Sequence, residues 1–283
     1  MGMKKNSSIL VNKNSITSIA IGGFDGMHIA HQELFKNLDD NGAIVSIESG
    51  YANLTPKKYR QEYSIYPIYY YNLTDIKHLE GCEFIKLLKE EFPKLKKIVV
   101  GFDFCFGKDR KYCIEKLKEF FDGSVIVIEE IKLDDIGVHS RIIREYIKSG
   151  DIKMANKLLG KEYKIYGKQI KGQGLGAKSF VPTINLKVDE FLLPNEGVYI
   201  TKTTLDDKEF NSITFLGHRV TTDGSYAVET HILNQDIENK DYTIQVKFCD
   251  KLRENKKFNS FDELKGQILE DINLANNYFI NIY

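Results

Sequence analysis

The sequence has no excess of charge of either sign and no long apolar run. Its 283 residues include 40 basic and 40 acidic side chains, so the formal net charge is zero. Without a basic surplus there is no electrostatic reason to expect nucleic acid or an anionic membrane as a partner. No stretch approaches the ~18 apolar residues that a membrane helix requires, which argues against a membrane-spanning protein.

Cysteine is scarce, and the N-terminus carries no targeting pattern. The four cysteines form no C-x-x-C pair and are scattered over the chain, at Cys82, Cys105, Cys113 and Cys249. Such a distribution predicts free thiols of a reducing compartment rather than disulfides or a zinc site. The first residues lack the apolar core and cleavage site of a signal peptide. We therefore expect a cytoplasmic protein.

The first half of the chain alternates strand-like and helix-like segments. This alternation predicts βαβ units around a parallel sheet. The predicted strands cover residues 16–22, 42–47, 97–100 and 124–128, and the predicted helices cover residues 27–38, 81–92 and 114–121.

The pattern changes near Gly160, after a predicted helical pair that turns at Ser149-Gly150-Asp151. Short alternating segments then predict an antiparallel β-barrel. They cover residues 163–170, 197–204, 212–216, 226–233 and 242–248. A capping box at residues 260–263 opens a C-terminal helix. At about 100–200 residues per domain the length fits two domains, and we expect an α/β domain over residues 1–158 and a barrel domain over residues 159–283.

A glycine-rich segment lies where the first strand turns into the first helix, and it reads GGFDGMHIAH over residues 22–31. At this position an α/β sheet offers backbone N–H groups and a helix dipole to a phosphate. His28 and His31 are about one helical turn apart, so both are expected to point toward one bound anion. Two imidazoles there would stabilise charge on a phosphoryl group.

The two histidines have two other interpretations, as core residues or as metal ligands. His31 lies in line with an apolar stripe that includes Met27 and Leu34, where a histidine is usually a core residue. A His-x-x-His pair also occurs in metal sites, but the metalloprotease motif has a four-residue spacing and a glutamate that is absent here. The glycines, the strand-to-helix position and both histidines together favour phosphate chemistry.

The pattern Gly-x-Phe-Asp-Gly-x-His-x-x-His resembles the nucleotidyltransferase motif of the bifunctional riboflavin kinase/FAD synthetase family. Residues 101–107 (GFDFCFG) and 138–144 (VHSRIIR) resemble the family's later G-x-D-F-x-F-G and S-S-T-x-I-R segments. The resemblance implies a Rossmann-like nucleotidyltransferase domain, with His28 and His31 as its catalytic residues. The residues that it implies at ATP and its phosphates are Gly22, Phe24, Gly26, Asp103, Ser140 and Arg144.

The sequence departs from the family pattern at three places. Ala30 stands where the family usually has glycine, and His139 and Arg141 stand where it has serine and threonine. After the second strand, residues 46–50 (SIESG) replace a Phe-Asp-Pro-His-Pro-like segment. This last departure concerns the flavin side of the site more than the ATP side.

A second glycine-rich segment covers residues 172–179 (GQGLGAKS) and partly fits both a dinucleotide fingerprint and a P-loop. Both motifs need a helix directly after the loop, whereas Pro182 and a strand-like run follow here, so both are excluded. The loop resembles the flap of the family's flavokinase domain, which precedes a Pro-Thr-x-Asn motif. The resemblance implies ATP contacts at Gly172 and Gly174, and Mg²⁺ held with the ATP phosphates by the neutral oxygens of Thr183 and Asn185.

Glu229 lies in an otherwise apolar strand-like segment, where alternation puts it on one face with Ala227, His231 and Leu233. A carboxylate in such a strand is unfavourable unless it is paired or functional. By the resemblance Glu229 is the general base of the kinase. The alternative is a surface residue of the strand.

The two sets of residues fit two consecutive reactions. A ribityl hydroxyl is a neutral nucleophile and gains from a general base and from Mg²⁺ at the transferred phosphate. The phosphate of FMN is already an anion and needs only positioning and positive charge. We expect phosphorylation of riboflavin to FMN and adenylylation of FMN to FAD with release of pyrophosphate. ATP is the co-substrate and Mg²⁺ the cofactor, with neither nucleic acid nor membrane as a partner.

Three alternatives stay open. A nucleotidyltransferase for another substrate, such as a pantetheine phosphate or nicotinate mononucleotide, would share the first motif but not Pro182–Asn185 with Glu229. A riboflavin kinase with an inactive or altered nucleotidyltransferase domain would fit the departure at residues 46–50. A catalytically silent flavin-binding or regulatory protein would not need the histidines or Glu229.

Overall fold

The computed structural model describes residues 12–170, 181–218, 226–235 and 243–281. Its contacts divide the chain into two compact units, Met1–Ser140 and Arg141–Tyr283. The first unit is a parallel sheet flanked by helices, and the second is a closed antiparallel barrel with a C-terminal helix. The predicted fold class is confirmed. Within the described ranges, no helix combines the length and the hydropathy that crossing a bilayer requires.

Five parallel strands form the sheet of the first unit. They are β1 (Ser18–Gly22), β2 (Gly42–Glu48), β3 (Ile68–Asn72), β4 (Lys97–Gly101) and β5 (Ser124–Ile128). Their order in the sheet is β3-β2-β1-β4-β5, so the order reverses between β1 and β4. Such a reversal leaves a crevice at the carboxyl ends of the strands. Because Gly22 ends β1 and Gly101 ends β4, the two motifs that follow these glycines meet at the crevice.

Apolar clusters cover both faces of this sheet. Ile19 and Ile21 of β1 point into one cluster and Ala20 into the other, as the two-residue period of a strand requires. The helices and the remaining short strands of this unit are α1 (Ile29–Phe35), α2 (Leu73–Ile76), α3 (Gly81–Glu91), α4 (Ile114–Phe120), β6 (Lys132–Leu133) and β7 (Ile136–Gly137). Burial on both faces explains why β1 and β4 read as continuous apolar runs.

The tyrosine-rich β3 is absent from the predicted strands. Tyr69 and Tyr71 pack against one core cluster, and the hydroxyl of Tyr70 donates to the carbonyl of Lys57 at 2.7 Å. Core packing of this segment was predicted, but its strand character was not. As an edge strand with partly exposed phenol rings, β3 lacks the apolar run that marks β1, β2 and β4.

The second unit is a barrel of six antiparallel strands. They are β8 (Tyr163–Ile170), β9 (Ile184–Lys187), β10 (Gly197–Leu205), β11 (Lys208–His218), β12 (Tyr226–Ile232) and β13 (Thr243–Arg253). The closed order is β10-β11-β12-β9-β8-β13, which leaves no unpaired edge. Fully buried hydroxyls form a hydrogen-bonded network that includes Thr201 to Ser212 at 2.7 Å and Thr214 to Thr230 at 2.9 Å.

Three helices belong to the second unit wholly or in part. They are α5 (Ser140–Ser149), α6 (Ile152–Leu159) and α7 (Phe261–Asn281). Asn156 of α6 donates to the carbonyl of Phe248 at 2.8 Å and accepts from the N–H of Tyr163 at 2.6 Å, which ties α6 to the barrel. At the start of α7, Ser260 caps Glu263 as predicted, but the Glu263 carboxylate accepts from the N–H of Asn259.

The division found from contacts falls after Ser140, whereas the predicted domain boundary falls after residue 158. Helix α6 accounts for part of this difference, because it buries four side chains and packs against β8 and β13. The buried side chains are Ile152, Ala155, Leu158 and Leu159. The predicted boundary therefore remains a matter for experiment.

We predict that a fragment of residues 141–283 folds cooperatively and that a fragment of residues 160–283 is less stable. Removing α6 exposes the barrel surface that its apolar side chains cover, at a cost of about 3 kcal/mol or more in free energy of unfolding. Urea denaturation followed by far-ultraviolet circular dichroism checks this. Equal midpoints for the two fragments would show that α5 and α6 add nothing to the barrel and would favour the boundary after residue 158.

Candidate functional site

The chain turns sharply between β1 and α1. Phe24, Gly26 and Met27 have positive φ angles of 47, 85 and 45°. A Cβ atom on Gly22 would lie 3.0 Å from the ring of Phe24. Glycine is therefore favoured at residue 22 by close packing and at residue 26 by the left-handed backbone.

Asp25 fixes this turn to two other segments. Its buried carboxylate accepts hydrogen bonds from the backbone N–H groups of Asn53, Leu54 and Thr55 at 3.1, 3.1 and 2.9 Å. The hydroxyl of Ser140 donates to the Asp25 carbonyl at 2.8 Å. The motif contained Asp25, but its positioning role was not predicted, since the partners lie about 30 residues downstream in an irregular loop.

The two histidines form one stacked pair. His28 is the N-cap of α1, and its Nδ1 accepts from the N–H of His31 at 3.4 Å. The two rings lie 3.5 Å apart between centroids with an angle of 21° between their planes. Because Nδ1 accepts, the proton of a neutral His28 ring is on Nε2. The rings of Phe24 and His31 form a T-shaped pair with their centroids 5.1 Å apart. Since Phe24 belongs to the core, His31 also packs against that apolar cluster, as its place in the apolar stripe suggested.

A cavity of about 490 Å³ opens at the carboxyl ends of β1 and β4. This volume is in the range of small-molecule sites, about 300–1,000 Å³. Six of the predicted residues line it, namely Gly22, Phe24, His28, His31, Asp103 and Ser140. Gly26 shapes the turn but does not line the cavity. The structure thus brings together residues from three motifs that lie at positions 22–31, 101–107 and 138–144 of the sequence.

The remaining walls combine aromatic rings with charged groups. Five phenylalanines line the cavity, at Phe24, Phe84, Phe102, Phe104 and Phe106. Lys77, Arg110, Glu129 and His139 also line it and were not predicted as site residues. His139 lies 3.3 Å from Glu130, and its hydrogen bond, with that of Lys132, lowers the pKa of the Glu130 carboxyl. Arg110 follows the G-x-D-F-x-F-G segment by three residues, so its closeness to that motif could have identified it as a site residue.

Residues 46–50, which begin within β2 and run past its end, are held by an internal ion pair. Glu48 pairs with Arg60, whose side chain is fully buried, and Arg60 also donates to the hydroxyl of Ser46 at 2.6 Å. The Arg60 Nε donates to the carbonyl of Thr55 at 2.9 Å. Ile47 and Ser49 alone of residues 46–50 line the cavity. The departure from the family pattern therefore leaves one apolar side chain and one hydroxyl facing the ligand space.

Arg144 belongs to the second unit by its contacts, although it follows Ser140 by about one turn of α5. Its implied role at the phosphates therefore stays a prediction.

Strand pairing in the barrel brings the second set of predicted residues together. Asn185 of β9 lies directly opposite Glu229 of β12, and Ile170, the last residue of β8, lies opposite Asn185 on its other side. Directly opposed residues of an antiparallel pair have Cβ atoms about 4.5–5.5 Å apart. Asn185 and Glu229, 44 positions apart in the sequence, are thus neighbours on the barrel.

The face that carries Glu229 is the outer face of β12. Val228, Thr230 and Ile232 are buried, whereas Glu229 and His231 are half-buried. His231 Nδ1 lies 2.8 Å from the carbonyl of Pro182, which ties the segment before β9 to the same face. Thr183 is exposed and directly precedes β9. Leu233, predicted to share this face, is buried just beyond the end of β12.

Gly172 and Gly174 lie outside the described residues. The chain is described again from Val181 and enters β9 at Ile184, and residues 181–187 contain no helix. This agrees with the exclusion of a dinucleotide fingerprint and of a P-loop, since both require a helix at that position.

Residues 159–279 match the flavokinase family model, described as riboflavin kinase. Over nearly the whole chain the sequence is similar to curated proteins named bifunctional riboflavin kinase/FMN adenylyltransferase. The protein of Haemophilus influenzae is 28% identical over 93% of this chain and 94% of its own length. The protein of Buchnera aphidicola subsp. Schizaphis graminum is 29% identical over 94% of this chain and 95% of its own length.

A solved structure is also similar to the whole chain. It is described as a macrolide-efflux protein from Streptococcus pneumoniae, is 27% identical, and aligns with a TM-score of 0.81 over 93% of this chain and 94% of that one. Its description is a statement about that protein, and the likeness supports the fold. The family model and the curated relatives together confirm the resemblance to the riboflavin kinase/FAD synthetase family that the motifs predicted.

We predict that Asp25→Asn destabilises the first unit. An amide keeps the shape of the carboxylate but replaces one acceptor oxygen with a donor that faces backbone N–H groups, at a cost of about 1–3 kcal/mol. Urea denaturation of the full chain measures this, with Asp40→Asn as the matched control because Asp40 is exposed. A midpoint for Asp25→Asn equal to that of the control would contradict the positioning role of Asp25.

Proposed function

We propose that this chain, which resembles the bifunctional riboflavin kinase/FMN adenylyltransferase family over nearly its whole length, carries out both reactions. It phosphorylates riboflavin to FMN and then adenylylates FMN to FAD, releasing pyrophosphate. We assign the kinase reaction to residues 159–283 and the adenylylation to residues 1–158. The pairing of Asn185 with Glu229 on the barrel is the observation that carries the proposal.

In the kinase reaction Glu229 accepts the proton of the ribityl hydroxyl as that oxygen attacks the γ-phosphate of ATP. A general base contributes typically about 10²–10⁴-fold to such a step. The outer face of β12 leaves the carboxylate open to a substrate, whereas the buried interior positions would not. His231 holds the carbonyl of Pro182 and thereby sets the position of Thr183 and Asn185 beside the base.

The donor set at this site suits a magnesium ion. Thr183 and Asn185 offer hydroxyl and amide oxygens, the ligand type that a hard cation prefers. Within the described ranges no group of three or more His, Cys, Asp or Glu side chains could hold a metal by itself. We therefore assign Mg²⁺ to Thr183 and Asn185 together with the phosphates of ATP. When bound, Mg²⁺ neutralises charge on the transferred phosphate.

Adenylylation takes place at the cavity of the first unit. The phosphate of FMN attacks the α-phosphate of ATP, an oxygen–phosphorus bond forms, and pyrophosphate leaves. The nucleophile is already an anion, so the site must supply position and positive character rather than a base. The position and the positive character come from His28, the turn after β1 and the cations Lys77 and Arg110, all of which line the cavity. The phenylalanines of the wall offer faces on which the adenine and flavin rings can stack.

A second candidate is a riboflavin kinase whose first site is altered. The observation that favours it is the ion pair of Glu48 with Arg60, which uses part of residues 46–50 for internal packing. That segment leaves only Ile47 and Ser49 for contact with a flavin.

A time course with riboflavin, ATP and Mg²⁺ separates the two candidates. Chromatography of the flavins should show FMN rising first and then giving way to FAD. FMN that accumulates without FAD would favour the altered first site. If folded protein forms neither product, both candidates fail.

We predict that Glu229→Gln lowers riboflavin phosphorylation by about 10²-fold or more, because an amide cannot accept the hydroxyl proton. The same variant should convert supplied FMN to FAD at the rate of the unmodified protein. Initial rates of each half-reaction, measured with riboflavin or with FMN as the only flavin, check both statements. Phosphorylation at the original rate would remove Glu229 from the mechanism.

We predict the opposite pattern for His28→Ala. Loss of one preorganised donor to a developing charge typically costs about 10²–10³ in turnover, so FAD formation from FMN should fall by that factor. Riboflavin phosphorylation should be unchanged, and this reaction also reports that the barrel unit of the variant is folded. Glu229→Gln is the reciprocal control, and unchanged FAD formation would refute the phosphate role of the histidine pair.

A further inference from the structure

Two cysteines face each other across a small antiparallel bridge beside the first cavity. Phe106 and Tyr112 exchange both backbone hydrogen bonds, with Phe106 donating at 2.8 Å and Tyr112 at 3.3 Å. In an antiparallel pair the next residues outward, here Cys105 and Cys113, form a non-hydrogen-bonded pair with Cα atoms about 4.5 Å apart. The bridge therefore sets the two thiols opposite each other.

The spacing suits a disulfide. Disulfides join residues with Cα atoms about 4.4–6.8 Å apart and Cβ atoms about 3.8 Å apart. Cys113 has extended backbone angles, φ −109° and ψ −163°, which continue the bridge. Both thiols are free, and their mutual interaction, more than burial, raises the pKa of Cys113. Glu115 raises this pKa further and Arg110 lowers it.

The other two cysteines are poor alternatives for this chemistry. Burial, and then Glu162, raise the pKa of Cys249 to about 12, so its thiol stays protonated and unreactive at neutral pH. Cys82 is exposed and lies in helix α3, not at a strand bridge.

Only one member of the pair touches the ligand space. Cys105 lines the cavity of the first unit, as do Phe104 and Phe106 on either side of it, whereas Cys113 does not. Cross-strand neighbours have Cβ atoms about 4.5–5.5 Å apart, so a disulfide shortens this distance. Shortening it draws Cys105 toward Cys113 and moves that wall away from the ligand.

We propose that Cys105 and Cys113 form a reversible disulfide in the wall of this cavity, and that its formation raises the KM for ATP in adenylylation. The second part rests on the proposed function. The oxidant is a low-molecular-weight disulfide. The thiolate of one cysteine attacks one of its sulfurs and displaces one thiolate, and the thiolate of the other cysteine then attacks the protein sulfur of this mixed disulfide and displaces the second. Two protein thiols are oxidised, and one disulfide is reduced to two thiols.

The first test is chemical and does not depend on activity. Full-length protein is incubated with oxidised glutathione, its remaining thiols are alkylated, and it is digested with trypsin. Cleavage after Lys108, Arg110 and Lys111 separates the two cysteines, so only a disulfide keeps their peptides joined. We expect that linked pair, lost on treatment with dithiothreitol, and at most a glutathione adduct on Cys82. Absence of the linked pair overturns the proposal.

The second test measures the consequence. In oxidised protein the KM for ATP in FMN adenylylation should rise by about fivefold or more, the scale of a modest coupling between sites. Dithiothreitol should reverse the rise, and riboflavin phosphorylation should not change. Cys113→Ser should keep the KM of the reduced protein in both conditions, while Cys82→Ser should behave like the unmodified protein.

The outcomes separate the two proposals. A disulfide that forms without changing the KM for ATP overturns the coupling. If reduced protein makes no FAD, the proposed function fails in the first unit, and the tryptic result still decides whether the cysteines pair.

Discussion

The carboxylate of Asp25 connects the parts of the first site. By accepting from three consecutive backbone N–H groups in the loop at residues 53–55, it anchors the turn between β1 and α1 to a segment that follows β2. The carbonyl of the same residue accepts from Ser140 at the start of α5. A tight turn with positive φ at Phe24 and Met27 is strained for those side chains, and these contacts hold it in place. The stacked histidines begin directly after that turn, so their position depends on it.

The second site depends on register instead of on a single side chain. A closed barrel fixes which residues are opposed, and a shift of one position would move Glu229 from the outer face to the interior. The buried hydroxyl network opposes such a shift, since Thr230 is bonded to Thr214 from one side of β12 while Glu229 points the other way. Each hydroxyl that lost its partner inside the barrel would carry a desolvation cost. The polar interior therefore helps to keep Glu229 on the exterior.

Much of the fold follows from the sequence because the signals are local. Buried parallel strands such as β1 and β4 are apolar runs, and in barrel strands such as β8 apolar and polar residues alternate. Both patterns can be recognised within a few consecutive residues. The tyrosine-rich β3 was not predicted, because it is an edge strand with partly exposed phenol rings and so lacks the continuous apolar run. Helix α1 is shorter than its apolar stripe, since the left-handed Met27 delays its start and His28 caps it.

The site residues divide in the same way. Gly22 and His28 belong to one short motif, and their types and spacing were enough to single them out, whereas Asp103 was named by the resemblance. Lys77, Arg110 and the Arg60–Glu48 pair belong to no such pattern, because only the folded chain brings them to the end of the sheet. Asn185 and Glu229 stand between these cases, since the resemblance named both but pairing between β9 and β12 makes them neighbours.

The different makeup of the two sites matches the different nucleophiles of the two reactions. A hydroxyl must lose a proton as it attacks, and the barrel site presents one carboxylate beside neutral oxygen ligands. A phosphate monoester has no proton to lose at that step, and the first cavity carries histidines, cations and backbone at the turn. The carboxylates on its walls, Asp103 and Glu129, follow β4 and β5, whereas the histidine pair follows β1. We propose that the barrel supplies the Glu229 carboxylate as a base for the hydroxyl, and that the first cavity supplies groups that attract charge for a nucleophile that needs no base.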